Sequence, residues 1–409
     1  MQNVVLDEPY VLVPPKHGAF WSNILRHVLP GFLRKSYGVV QFEYQHLERL
    51  QASLRAGHGI VLMPNHSRDE DGLVMGMLSC KIGRWFYYMS SWHLLKGGFA
   101  KAFFLPRVGV YSVYREGPDR ASVKLSVDLI ARARRPVVIF PEGYLARTND
   151  RLSPLMDGPS LIARAAAKKR AQANPPGQVV VHPVALRYQL LAPLEPAVTG
   201  VLAELEARFQ LPDGAARPLR ERVDQIGAAM LARYETEHLG APQAGPLPPR
   251  RTHLVNFLLR PLEDEWIGCR HDDDPVQFRV RQLRVAIVPG LTQGGLDEAE
   301  RRRRWRQLTN IYLAQMLDNY PADYLAGEPS PERLLETIER YQEDSTDVLR
   351  PFGPLKATIT IGEPIVVHPV RENRGGEEPL LQEVRTQLAA MLGLSQSAPA
   401  TARPAAVPR

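Results

Sequence analysis

Val61-Leu62-Met63-Pro64-Asn65-His66-Ser67-Arg68-Asp69-Glu70-Asp71 joins an uncharged apolar run to a polar turn, and the turn to a stretch with helical spacing. The run at 59–64 has the aliphatic character of a strand covered on both faces. Ser67 with Glu70 three residues later reads as a capping box, so a helix is expected to start with Ser67 as its N-cap. In that register His66 lies just before the cap and Asp71 is the fourth helical residue, two positions that approach each other across a helix start. A carboxylate placed there can fix the imidazole tautomer and leave the other ring nitrogen to take a proton from a hydroxyl. The plainer reading gives His66 a backbone partner and uses Asp71 to complement the helix dipole, with Asp69 and Glu70 in dipole and capping roles.

Working outward, short apolar runs at 59–64, 85–89, 108–113, 136–140 and 179–185 alternate with helical patterns at 69–80, 93–104, 120–133 and 159–171. This alternation predicts an α/β fold with a mixed, mainly parallel sheet flanked by helices. Beyond about residue 190 Ala, Arg, Glu and Leu dominate, and helices are expected at 218–237, 297–320 and 331–349, with a Pro-rich linker at 241–249. A strand at 357–361 and a helix at 380–392 follow. The expected domains are an N-terminal amphipathic segment at 1–50, a core at 51–195, a large helical insertion at 196–350, a closing strand and helix at 351–394, and a disordered tail at 395–409.

Two further motifs follow strand ends. Phe140-Pro141-Glu142-Gly143 comes directly after the run at 136–140, and Arg115 follows the glycine-led run Gly109-Val110-Tyr111-Ser112-Val113-Tyr114. Ligands in open α/β sheets bind beyond the carboxyl ends of strands, so parallel strands would put His66, Arg115 and Glu142 on one edge. Arginine there can grip a phosphate with paired hydrogen bonds, glutamate can accept from ligand hydroxyls, and Gly143 permits close backbone approach.

The 409 residues are 44% hydrophobic and carry a net charge of +7, enough for a sizeable core and favouring an anionic partner. Two cysteines, Cys80 and Cys269, exclude a disulfide framework and are expected as free buried thiols. No run approaches the roughly 20 apolar residues of a bilayer span, and no cleavable leader is expected. Phe20, Trp21, Ile24, Leu25, Val28 and Leu29 fall at helical spacing beside Lys16, Arg26, Arg34 and Lys35, as in helices that lie in a membrane interface. His271-Asp272-Asp273-Asp274 lacks the spaced ligands of a calcium loop and reads as a solvated turn. Nothing resembling a nucleic-acid-binding motif accompanies the basic charge.

Taken together, His66 to Asp71, Gly109 to Arg115, Phe140 to Gly143 and His182-Pro183-Val184-Ala185 resemble, in order, the four blocks of the glycerolipid and lysophospholipid acyltransferases. Ile361-Gly362-Glu363-Pro364-Ile365 resembles the family's closing strand. The resemblance implies an O-acyltransferase like those acting on 1-acyl-glycerol-3-phosphate in phospholipid biosynthesis. His66 would be the base and Asp71 its orienting partner, with Arg115, Glu142 and Gly143 binding the acceptor. The donor would be an acyl thioester on coenzyme A or acyl carrier protein, the acceptor a lysophospholipid, with no metal or other cofactor. The setting would be cytoplasmic, at an anionic membrane surface. Two features depart from the family pattern. Tyr144-Leu145-Ala146-Arg147 displaces the basic residue that usually follows the glycine, leaving Arg147 to reach the phosphate, and the long helical insertion, whose partner is unknown, has no family counterpart. The alternative is a non-catalytic lipid-binding or scaffold protein retaining the fold.

Overall fold

In the computed structural model, which describes residues 8–370 and 378–394, the chain forms two compact units. The tail expected at 395–409 lies outside the described residues. One unit comprises Tyr10–Leu191 with Gly353–Pro399, and the other centres on Ala192–Phe352.

The first unit runs α1 (Phe20–Tyr37), β1 (Val39–Gln45), α2 (Leu47–Arg55), β2 (Gly59–Pro64), α3 (Asp71–Ile82), β3 (Tyr87–Ser91), α4 (Trp92–Leu95), α5 (Phe99–Arg107), β4 (Val110–Val113), α6 (Arg120–Ala131), β5 (Val137–Val138), α7 (Gly158–Ala171) and β6 (Val179–Leu190). The second unit holds α8 (Leu194–Arg208), α9 (Leu219–Leu239), α10 (Leu247–Trp266), α11 (Val276–Thr292), α12 (Glu298–Asp318) and α13 (Pro331–Thr346). The chain then returns to the first unit as β7 (Leu355–Ile361), β8 (Ile365–Val366) and α14 (Pro379–Leu392).

The sheet order is β1-β7-β6-β2-β5-β3-β4, with β8 on β6. Pairs from β6 through β4 are parallel, as is β1 with β7, while β6 meets β7 and β8 antiparallel. The fold is thus the mixed, mainly parallel α/β sheet expected, with a large set of additional helices. β2 is central and buried along its whole length, which explains its unbroken apolar sequence. Its Val61 and Met63 pack with Ile130, Ile162, Ala166 and Val384 of α6, α7 and α14. Leu62 points the other way beside His182, whose Nε2 lies 2.9 Å from Ser53 Oγ of α2.

Several elements differ from expectation for local reasons. The run at 136–140 pairs as a strand only over Val137–Val138, because Phe140 leaves the ladder to stack on His66. β3 begins at Tyr87 because α3 turns at Gly83 and Arg84 still bonds back to Ser79. The helix expected at 93–104 breaks at Gly97 and Gly98 into α4 and α5. β1, α2, α8 and α11 were not apparent in the sequence pattern, nor was α10, which starts inside the expected Pro-rich linker with prolines in its first turn, where a missing N–H is harmless.

In the second unit, Leu254, Leu258, Leu283, Ile287, Leu308 and Ile311 form the core of α10, α11 and α12. Glu206, Glu235 and Glu263 each pair bidentately with an arginine 15 or 16 residues on, Arg222, Arg250 and Arg279, so that each of α8, α9 and α10 is clasped to the next helix. Such buried pairs penalise slippage between neighbouring helices, since removing one partner strands the other charge.

Helix α1 buries Leu33 but leaves Phe20, Ile24, Val28 and Phe32, one every four residues, exposed. Trp21 packs edge-on against Phe103 and Phe104 of α5, and Phe103 stacks on Phe99, which is 85% exposed. No acidic residue occurs in 16–37 or 92–108. Among the described residues no helix is long and apolar enough to cross a membrane. Both cysteines are free, but Cys80 is only half-buried and Cys269 is exposed, against the expectation of buried thiols.

Candidate functional site

Parallel pairing of Val61 with Val137 and Leu62 with Val138 delivers the loops after β2 and β5 to one sheet edge. Asp71 is the first residue of α3, and Ser67 is not the N-cap: its hydroxyl is buried without a hydrogen-bond partner, and Glu70 occupies the cap position with no side-chain bond to the helix amides. The expected capping box fails because Asp71 itself gathers the turn. Its Oδ2 accepts from Ser67 N at 2.7 Å and Arg68 N at 2.9 Å and lies 2.9 Å from His66 Nδ1. These three contacts to one carboxylate oxygen tie residues 66–70 into a loop ahead of the helix.

The carboxylate is fully buried, whereas the His66 side chain is 24% exposed. Among the described residues His66 Nε2 has no hydrogen-bond partner, and the ring rests on Phe140 at a centroid distance of 4.2 Å. The His66 amide donates to Glu142 Oε1 at 2.7 Å, and its carbonyl accepts from Ala146 N at 2.8 Å. The imidazole is thereby fixed by its backbone, its neighbour ring and one nitrogen, leaving the other nitrogen for chemistry.

Glu142 is placed differently from its sequence-based role as an acceptor for substrate hydroxyls. Its second oxygen accepts from Ser153 N at 2.9 Å, so both oxygens face backbone amides inside the protein. Burial pushes its carboxyl up, opposed by those two amides. The side chain joins the His66 loop to the segment at 153. Gly143 has φ +72°, and a Cβ there would lie 2.0 Å from Met156 Sδ, so this turn admits only glycine without displacing Met156. The Gly143 carbonyl accepts from Arg115 Nη2, whose side chain is exposed at the rim. Arg147 Nη2 stands 3.9 Å from Asp69 Oδ2, beside the His66 loop. The loops after β2, β4 and β5 therefore meet, and all six expected site residues lie in them or at the start of α3.

Three participants were missed in the sequence. Asn65 exchanges hydrogen bonds with the backbone of Leu186, at 3.0 and 2.7 Å, and Asn149 does the same with Tyr188, at 2.8 and 2.9 Å. These amides continue the ladder along β6 after β2 has ended. They hold Tyr188, whose buried hydroxyl donates to Asp71 Oδ1 at 2.6 Å. Burial and the nearby Asp71 and Glu70 carboxylates hold the Tyr188 hydroxyl well above its usual range, so it remains a donor. A hydroxyl donor to a catalytic-type carboxylate leaves no motif spacing, although Tyr188 does follow the His182-Pro183-Val184-Ala185 block. The His182 ring itself is buried between Ser53 and Gly362 O, and burial lowers its pKa, so it is a structural residue of the sheet.

Glu70 is buried next to Asp71 and bonded at 2.8 Å to Arg68 Nε. Its carboxyl is pushed from 4.5 up to about 7, mainly by burial and further by Asp71, against the pull of Arg68. Between these pH values the folded protein holds a proton that the unfolded chain has lost, so stability falls as pH rises through the window. Replacing Glu70 with Gln, which keeps an acceptor for Arg68, is expected to flatten that fall by about 3 kcal/mol. Urea midpoints measured across this range check the prediction, and an unaltered pH profile contradicts it.

A family model described as Acyltransferase matches residues 41–187, the segment containing the His66 loop, Arg115, Glu142, Gly143 and Arg147. No curated protein matches the chain.

Proposed function

We propose, taking residues 41–187 as the acyltransferase domain that this match supports, that the protein transfers a fatty acyl group from a thioester to a lipid hydroxyl. The acceptor is 1-acyl-glycerol-3-phosphate or a related lysophospholipid, and the donor is acyl coenzyme A or acyl carrier protein. One observation carries this reading: the His66 ring is held at Nδ1 by a buried carboxylate and is free at Nε2, beside an edge bearing Arg115 and Arg147.

In the proposed reaction Nε2 takes the acceptor hydroxyl proton as that oxygen attacks the thioester carbonyl. The tetrahedral oxyanion collapses, the carbon–sulfur bond breaks, and the departing thiolate takes the proton back from the imidazolium, giving ester and thiol. Asp71 stabilises the transient cation, and Tyr188 keeps the carboxylate oriented. Arg115 and Arg147 bind the acceptor phosphate, while Glu142 acts by positioning the His66 loop rather than by touching substrate. The exposed apolar row of α1 and Phe99 of α5, on segments with basic but no acidic residues, supports peripheral docking on an anionic membrane.

The acceptor assignment is tested by comparing 1-acyl-glycerol-3-phosphate, a choline lysophospholipid and monoacylglycerol with one acyl thioester. The phosphate monoester is expected to be preferred at least about tenfold in kcat/KM, the scale of one lost charged hydrogen bond. Preference for the choline lipid or monoacylglycerol sinks the acceptor assignment. No transfer to any of the three leaves the lipid-binding alternative.

A further inference from the structure

The opposite edge of the sheet holds a cavity of about 280 Å³ lined by His17, Gly83, Arg84, Trp85, Tyr87, Arg134 and Arg135. It forms where two chain segments enter the sheet. α3 turns at Gly83 into Arg84 and Trp85, and Arg134 and Arg135 precede Pro136, whose carbonyl accepts from Tyr87 N at 2.8 Å. Tyr87 opens β3, whereas the His66 edge lies beyond the other ends of these strands. At about 3.3 Å per residue the two edges are roughly 15 Å apart, so the cavity is no part of the acyl-transfer centre.

Its chemistry is one-sided. Three guanidinium groups and a histidine line it without a carboxylate, and among the described residues none of the three arginines has an ion-pair partner. Arg135 is anchored by Nη2 to the His17 carbonyl at 2.6 Å and lies 5.2 Å over the Tyr87 ring, yet its Nη1 is buried without a hydrogen-bond partner. His17 Nδ1 sits 2.7 Å from the Tyr87 hydroxyl. Burial, and after it the charges of Arg132, Arg135 and Arg134, lower the His17 pKa, in keeping with the one-sided charge of the lining. A buried guanidinium donor lacking an acceptor, beside two more guanidiniums and no acid in the cavity lining, is a site that an anion would complete.

We propose that this cavity binds a phosphate group, on a lipid headgroup or a soluble phosphate ester, at a second anion site separate from the acceptor site. Planar guanidiniums suit phosphate oxygens, and the volume fits a headgroup-sized ligand rather than a dinucleotide. His17 lies three residues before the exposed Phe20 of α1, so a headgroup could enter while the α1 row rests on the membrane.

The test uses the full chain and the double variant Arg84→Gln with Arg134→Gln. Both side chains are exposed, and neither has been given a role in acyl transfer. Arg135 is left intact because it anchors the His17 carbonyl. Inorganic pyrophosphate binding is measured by calorimetry, and binding to phosphatidylcholine vesicles is measured with and without phosphatidic acid. A loss of at least about tenfold in pyrophosphate affinity assigns a soluble phosphate site. A similar loss confined to vesicles containing phosphatidic acid assigns a lipid headgroup. Because the acceptor edge can also hold phosphate, the difference between wild type and variant isolates the cavity. Equal binding by the two proteins in both assays overturns the proposal. Transfer to a short-chain acceptor dispersed in solution should be unchanged in the double variant, which separates this proposal from the acyl-transfer reading.

Discussion

Replacing His66 with Ala is expected to lower kcat/KM for acyl transfer by about 10²- to 10⁴-fold, the usual contribution of a positioned general base. The fold should survive. The His66 amide and carbonyl bond Glu142 and Ala146 through backbone atoms that alanine retains, and Asp71 keeps the amides of Ser67 and Arg68 and the hydroxyl of Tyr188. The stability loss comes from ring packing on Phe140, about 1 kcal/mol for such an aromatic contact, and from the lost Nδ1 hydrogen bond to the buried Asp71, about 1–3 kcal/mol. Steady-state kinetics alongside urea denaturation check both halves. A variant that unfolds, or one that transfers at the wild-type rate, contradicts the role given to the imidazole.

The second large effect is expected from Asp71→Asn. Asparagine can seat its carbonyl where Oδ2 receives three donors, and the Tyr188 hydroxyl can rotate to accept from the new amide. Shape is kept, but the negative charge facing the transient imidazolium is lost. A fall of about 10²- to 10⁴-fold in kcat with little change in KM is expected, by analogy with neutralising the carboxylate of a serine-protease triad. Kinetics with saturating thioester and varied acceptor separate the two constants. A raised KM with kcat unchanged would place Asp71 in acceptor binding instead.

The central sheet was legible because β2 is buried on both faces and its sequence shows it, and because α6 and α7 bury apolar faces against it. β1 at the sheet margin, with the mixed sequence Val39-Val40-Gln41-Phe42-Glu43-Tyr44-Gln45, has a half-exposed pattern and was not apparent. In the second unit, buried arginine–glutamate pairs put charges on inward helix faces without hiding α9, while α10 was obscured by the prolines of its first turn, which read as a linker. The hydrogen bond between His66 and Asp71 was foreseen, but through a helix register that the structure replaces with a loop gathered on Asp71. Asn65, Asn149 and Tyr188 act across more than thirty residues of sequence, so no local pattern could have pointed to them.

The most direct test of the central claim is mass spectrometry of the products formed when purified protein meets an acyl thioester and 1-acyl-glycerol-3-phosphate. Wild type should yield the diacyl ester and one equivalent of free thiol, with product falling by at least about a hundredfold in the His66→Ala protein. Free fatty acid in place of ester, or the same ester yield from both proteins, would contradict the account.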